Sequence, residues 1–137
     1  MSEITWSVEQ LTGGGFRGLF AAQALQCMEE HIDHPVGRHF DLTCGTSIGG
    51  IVALAVAFEV PMKKVVEIFT NLGPMIFPPH TAPVGKCQIG VDLFKHRNKP
   101  RYLSALLREA ISSLIPEDTI LGAALHPLAI QPVNVSE

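Results

Sequence analysis

The sequence predicts an α/β fold with a mainly parallel sheet. Strand-like and helix-like segments follow in the order strand, helix, strand, helix, helix, loop, helix, strand, the pattern of repeated crossovers between parallel strands. Each of the first two strands runs into a glycine turn that opens the next helix. Apolar residues make up 47% and charged residues 17%, and the mean hydropathy is +0.27. That is too oily for disorder as the main state.

Residues 4–11 alternate apolar and polar at Ile4, Trp6 and Val8 and read as the first strand. Gly13, Gly14 and Gly15 follow at once. Residues 16–31 read as a helix, with Ala21, Leu25, Met28 and Ile32 as its buried stripe. Pro35 and Gly37 mark a turn. Residues 40–44 make a short second strand, and Gly45-Thr46-Ser47-Ile48-Gly49-Gly50 a sharp turn. Residues 51–58 are apolar on every side, which a helix tolerates only when buried all round. Pro61 suits the first position of another helix over 62–72. Its inner face is Val65, Ile68, Phe69 and Leu72, and its outer face Lys63, Lys64 and Glu67. Residues 74–100, rich in Pro and Gly, are expected to be a lid or variable loop and the most mobile part of the chain. Residues 102–114 are amphipathic, with Leu103, Leu106, Leu107, Ala110, Ile111 and Leu114 on one face. Residues 128–135 read as a last strand, which Pro132 places at an edge or a strand end. The sheet is therefore expected to be cut off at its C-terminal side. An edge left open predicts association into a homo-oligomer.

With 137 residues, the chain has the size of one ordinary domain or of part of a larger one. A net charge of -3 argues against nucleic-acid polymers as partners. The longest uncharged apolar run, 51–58, falls far short of a membrane span. The N-terminus lacks a basic segment followed by an apolar one, so no secretory signal is expected. Cys27, Cys44 and Cys87 are an odd number without a CxxC pair. They predict a reducing, cytoplasmic setting and neither a disulfide framework nor a zinc ribbon. The sequon at Asn134 carries no weight without a signal.

The chemistry lies in the two glycine turns. Gly13-Gly14-Gly15-Phe16-Arg17-Gly18 leaves several N–H groups at a helix N-terminus, suited to a phosphate or to the oxyanion of acyl transfer. Gly13, Gly15 and Gly18 also spell GxGxxG, the dinucleotide fingerprint, but that fingerprint needs an acid at the end of the next strand. Asp41 lies before that strand's apolar core. The strand's end carries Gly45-Thr46-Ser47-Ile48-Gly49, a GxSxG, which in a strand-to-helix turn is a nucleophile elbow. Together the turns supply oxyanion donors (Gly13, Gly14, Gly15) and a nucleophile (Ser47). The bland alternative is two packing turns.

GGGFRG followed by GTSIGG resembles the patatin-like phospholipases. HFDLTCGTSIGGIVALAVAFEVP resembles the family's elbow and buried helix, and RYLSALLREAI with LHPLAIQPVNVS the helix and strand after its variable loop. The resemblance thus covers nearly all of 1–137, with 74–100 the least matched part. It is to bacterial stand-alone members, including those activated by cyclic nucleotides in anti-phage defence. It implies a three-layer α/β sandwich and hydrolysis of membrane phospholipid esters by a Ser–Asp dyad without histidine. It implies no cofactor or metal, and a position peripheral to the membrane. Ser47 would be the nucleophile, the Gly13, Gly14 and Gly15 turn the oxyanion hole, and Arg17, Gly18, Gly45 and Gly49 the supporting motif. Arg17 would brace that turn or meet the lipid phosphate. The dyad aspartate belongs to a downstream DGG or DGA, and this sequence has no Asp-Gly pair. Its aspartates are Asp33, Asp41, Asp92 and Asp118. The chain therefore looks like the N-terminal part of such a domain, without its base.

His31, His34, His39, His80, His96 and His126 raise a Ser-His triad or a metal site. Only His31 and His34 have helical ligand spacing, and Pro35 ends the helix there. His126 reads as a turn residue. The basic run 95–101 and Phe77-Pro78-Pro79 fit either a lipid-facing lid or a solvated, packed loop. Cys44 reads as a buried inert thiol. The absence of GK[ST] after Gly45 excludes a P-loop. Two other classes stay open: a catalytically silent truncated domain that binds lipid or a partner, and a nucleotide-binding α/β domain.

Overall fold

Three short strands and four helices follow the expected order in the computed structural model, which describes residues 5–76 and 104–131. The strands are β1 (Val8–Leu11), β2 (Leu42–Gly45) and β3 (Leu128–Ile130). They form one sheet in the order β1-β2-β3, parallel throughout. The helices are α1 (Gly18–Ile32), α2 (Ile48–Ala57), α3 (Met62–Ile76) and α4 (Ser104–Leu114).

Register aligns Leu11 with Gly45 and Gly45 with Ile130, so all three strands end together. Glu9, Leu11, Thr43 and Gly45 share one face of the sheet, which α2 covers. Val8 and Gln10, on the other face, are exposed. A right-handed crossover that steps the same way twice puts both connecting helices on one side. The described residues therefore build two layers of the expected three.

α2 holds the core together. All its residues are buried except Leu54, which is half-buried, as expected for a helix apolar on every side. Its alanines let it lie close to β2, while Val52, Val56 and Val65 of α3 are almost fully enclosed. Each such valine contributes about 1.5–3 kcal/mol of burial. No described helix is long and apolar enough to cross a membrane.

Several expectations are corrected. β1 starts at Val8, because Ser7 is held differently: its N–H donates to Asp41 Oδ2 at 2.8 Å. Leu25 is buried in α1 as expected and Ala21 packs against the core, but the other buried positions are Gly18 and Ala22, and Met28 is 41% exposed. The helix is rotated so that Glu29 can turn inward. One Glu29 oxygen accepts the Val36 N–H at 3.2 Å and the other the Met62 N–H at 2.8 Å, which caps the start of α3. α3 runs on through Pro74 to Ile76. The ring removes only the hydrogen bond to the carbonyl of Thr70, which is exposed near the helix end. The rest of the expected lid, with Cys87, Asp92, His80, His96 and the basic run, lies outside the described residues, as do residues 132–135 of the last strand.

Candidate active site

β2 ends at Gly45 and α2 begins at Ile48, so Thr46 and Ser47 alone reverse the chain. Ser47 has φ 55° and ψ -128°, a conformation that costs a residue with a Cβ about 1–3 kcal/mol. The flanking glycines make the turn possible. A Cβ on Gly45 would overlap the Gly49 carbonyl, and one on Gly49 the Leu11 carbonyl. Ser47 is exposed at the N-terminus of α2 and makes no side-chain capping bond there. Its hydroxyl thus sits where the helix dipole favours developing negative charge. Ser47→Gly is expected to raise stability by about 1 kcal/mol, because strain relief exceeds the extra entropy cost of glycine. Thermal unfolding checks this, and a lower Tm would show that the turn is not strained.

The first glycine turn packs directly on this elbow. A Cβ built on Gly13 would stand 2.9 Å from Ser47 Cβ, and one on Gly18 would overlap Ile48. Gly14 and Gly15 have φ of 153° and 60°, which side chains other than glycine disfavour. The Gly13 N–H donates to Thr46 Oγ1 at 3.1 Å. The Thr46 hydroxyl thus already engages one of the three glycine amides of the turn. Gly13 supplies room for Ser47, and the N–H groups of Gly14 and Gly15 have no partner among the described residues. Arg17 is exposed, and its side chain lies back over Gly14. A groove of about 460 Å³ beside the elbow is lined by Leu11, Cys44, Thr46, Ala129 and Ile130. Cys44 is half-buried there.

The described aspartates and histidines lie at the other pole. Asp41 precedes β2, roughly 13 Å along the strand from Gly45, and is engaged with Ser7. Asp33 caps the C-terminus of α1 in the left-handed conformation. Asp118 follows Glu117, which lines a groove with Phe58 beyond the far end of α2. His34 and His39 stack with ring centroids 4.7 Å apart, and no three metal-ligating side chains cluster among the described residues. His126 is more than a turn residue, since its Nε2 lies 3.0 Å from Glu59 Oε1. Arg38 donates to both Glu59 oxygens at 2.8 and 2.9 Å. The Arg38 hydrogen bonds, then that of His126, hold the Glu59 carboxyl down at about 2.

The model of the patatin-like phospholipase family matches residues 11–134. The chain belongs to that family. It is 34% identical to a cGAMP-activated phospholipase of Pseudomonas aeruginosa over 96% of this chain and 37% of that protein. The like-named protein of Escherichia coli is also 34% identical, over 94% of this chain and 36% of its own length. Human calcium-independent phospholipase A2-gamma is 37% identical over 49% of this chain and 9% of that protein. The chain thus spans little more than a third of the bacterial relatives. In this patatin-like chain the end of β2 carries a serine elbow, where a dinucleotide fold would need an acid.

Glu9 is a feature of this patatin-like chain that residue pattern did not reveal. It stands beside Thr43 in register on the α2-covered face, and Glu9 Oε2 and Thr43 Oγ1 are both buried without a protein partner among the described residues. Burial pushes the Glu9 carboxyl up to about 7. In the unfolded chain it ionises near 4.5. Between these values the fold holds a proton that the unfolded chain has lost, so stability falls as pH rises from about 4.5 to 7. Glu9→Gln is expected to be more stable than the parent at pH 8, with the gain shrinking at pH 4. A gain of equal size at both pH values would refute the assignment.

Proposed function

We propose that this chain supplies the nucleophile and the oxyanion-binding turn of a serine hydrolase that cleaves acyl esters of membrane phospholipids. The observation that carries the reading is the exposed Ser47, held at positive φ against Gly13. Ser47 Oγ attacks the ester carbonyl and gives its proton to a carboxylate base. The N–H groups of Gly14 and Gly15, with the N-terminus of α2, stabilise the tetrahedral oxyanion. The carbonyl reforms as the lysolipid leaves with that proton. The same base then activates water, which releases the fatty acid from Ser47. The base is the family's Asp-Gly aspartate, which these 137 residues do not contain.

The whole protein works at a membrane surface from the water side. The names of the Pseudomonas and Escherichia relatives support a cyclic nucleotide as its activator. A fluorophosphonate probe tests the reading. It is expected to label Ser47 in the protein that includes the Asp-Gly segment, and Ser47→Ala is expected to abolish labelling. Labelling that survives in Ser47→Ala would refute the assignment.

A second reading is favoured by the position of the described aspartates and histidines at the opposite pole. The 137 residues by themselves then bind lipid without turning it over, and the probe leaves them unlabelled.

A further inference from the structure

We infer that Thr46 is a positioning residue that sets the oxyanion turn against Ser47. The inference rests on the acyl-hydrolase reading above. Thr46 clamps the first turn from two directions. Its backbone N–H donates to the Leu11 carbonyl at 3.2 Å, and its Oγ1 accepts the Gly13 N–H at 3.1 Å across 33 residues of sequence. Residues 11 and 13 are therefore tied to the residue next to the nucleophile.

The turn needs such a tie. Gly13, Gly14 and Gly15 have no side chains to pack, and glycine has the widest backbone freedom of any residue. The φ values of 153° at Gly14 and 60° at Gly15 are two among many that such a pair can adopt. An oxyanion hole works only while its N–H groups are held on the position of the developing charge. The Thr46 hydroxyl also has a specific consequence for the donor set. By taking the Gly13 N–H, it leaves Gly14 and Gly15 to face the reaction. Thr46 is exposed and Gly13 half-buried, so water can replace the hydroxyl as acceptor. The fold therefore does not depend on this bond, whereas the aim of the next two amides does.

The test uses the enzyme that includes the Asp-Gly segment, with phosphatidylglycerol vesicles as substrate. Thr46→Val removes the acceptor at nearly constant volume, and Thr46→Ser keeps it. Thr46→Val is expected to lower kcat roughly tenfold with KM unchanged, the size of one lost hydrogen bond. Thr46→Ser is expected to stay within about twofold of the parent. Amide exchange at Gly13 should be protected in the parent and in Thr46→Ser and fast in Thr46→Val. A kcat for Thr46→Val within about twofold of the parent overturns the inference. So does a change confined to KM, or Thr46→Ser as slow as Thr46→Val. If Thr46→Val fails to fold, the parent decides: an unprotected Gly13 amide overturns the inference and a protected one supports it. Ser47→Ala separates the two levels. Full turnover without Ser47 refutes the acyl-hydrolase reading itself, while loss in Ser47→Ala beside an unimpaired Thr46→Val refutes only the role of Thr46.

Discussion

Gly49→Ala is expected to cost about 4 kcal/mol or more, a large share of the roughly 5–15 kcal/mol that holds a domain folded. The new Cβ would overlap the carbonyl oxygen and carbon of Leu11 and lie 3.0 Å from the Thr12 carbonyl oxygen. All of these are backbone atoms. Overpacking against flexible side chains typically costs about 1–3 kcal/mol, because they can move aside. Here the neighbour cannot give easily. Leu11 is paired in register with Gly45 and its carbonyl accepts the Thr46 N–H, so moving it means opening the end of β1 or lifting α2. Gly122→Ala is the control, since nothing lies within 4 Å of a Cβ there, and its effect is expected within about 0.5 kcal/mol. Urea midpoints of the two variants measure the difference. A Gly49→Ala midpoint close to that of Gly122→Ala would show that α2 can shift without cost, and the close packing of the elbow would be wrong.

The second large effect is on rate. The 137-residue chain is expected to hydrolyse p-nitrophenyl butyrate and phosphatidylglycerol about 10⁴-fold or more slowly than a version extended through an Asp-Gly segment, as for removal of a triad base. The reason is geometric. Parallel strands put Ser47 at their C-terminal ends, while Asp33, Asp41, Asp118 and the described histidines sit towards their beginnings. Asp41 would have to cross the length of β2 to reach the hydroxyl. Turnover by the 137-residue chain that vanishes in Ser47→Ala would contradict this and would mean that a residue within the chain serves as base. Asp92, His80 or His96 would then be the first to substitute.

The strand and helix order, the all-round burial of α2 and the two glycine turns were legible in the sequence. Each is a local property. A helix with no polar face has one environment open to it, and Gly45 and Gly49 flank a serine because neither of their positions has room for a Cβ. The family resemblance was legible for the same reason, since its motifs are short and contiguous. Only the tertiary structure decided which face of α1 is inward. The apolar stripe through Met28 is as periodic as the true one, but Glu29 must reach the N–H groups of Val36 and Met62. The same holds for Glu59, which joins Arg38 to His126 across the far pole, and for Glu9, whose position in an alternating strand gives no sign of burial beneath α2. The Gly13–Thr46 bond was equally hidden. Local pattern limits which conformations a segment can take, but it does not say which distant backbone donor lies within 3.1 Å of a hydroxyl. That is settled by the packing of α2 against the sheet, which brings the ends of β1 and β2 together and so decides which of the three glycine amides is engaged by Thr46.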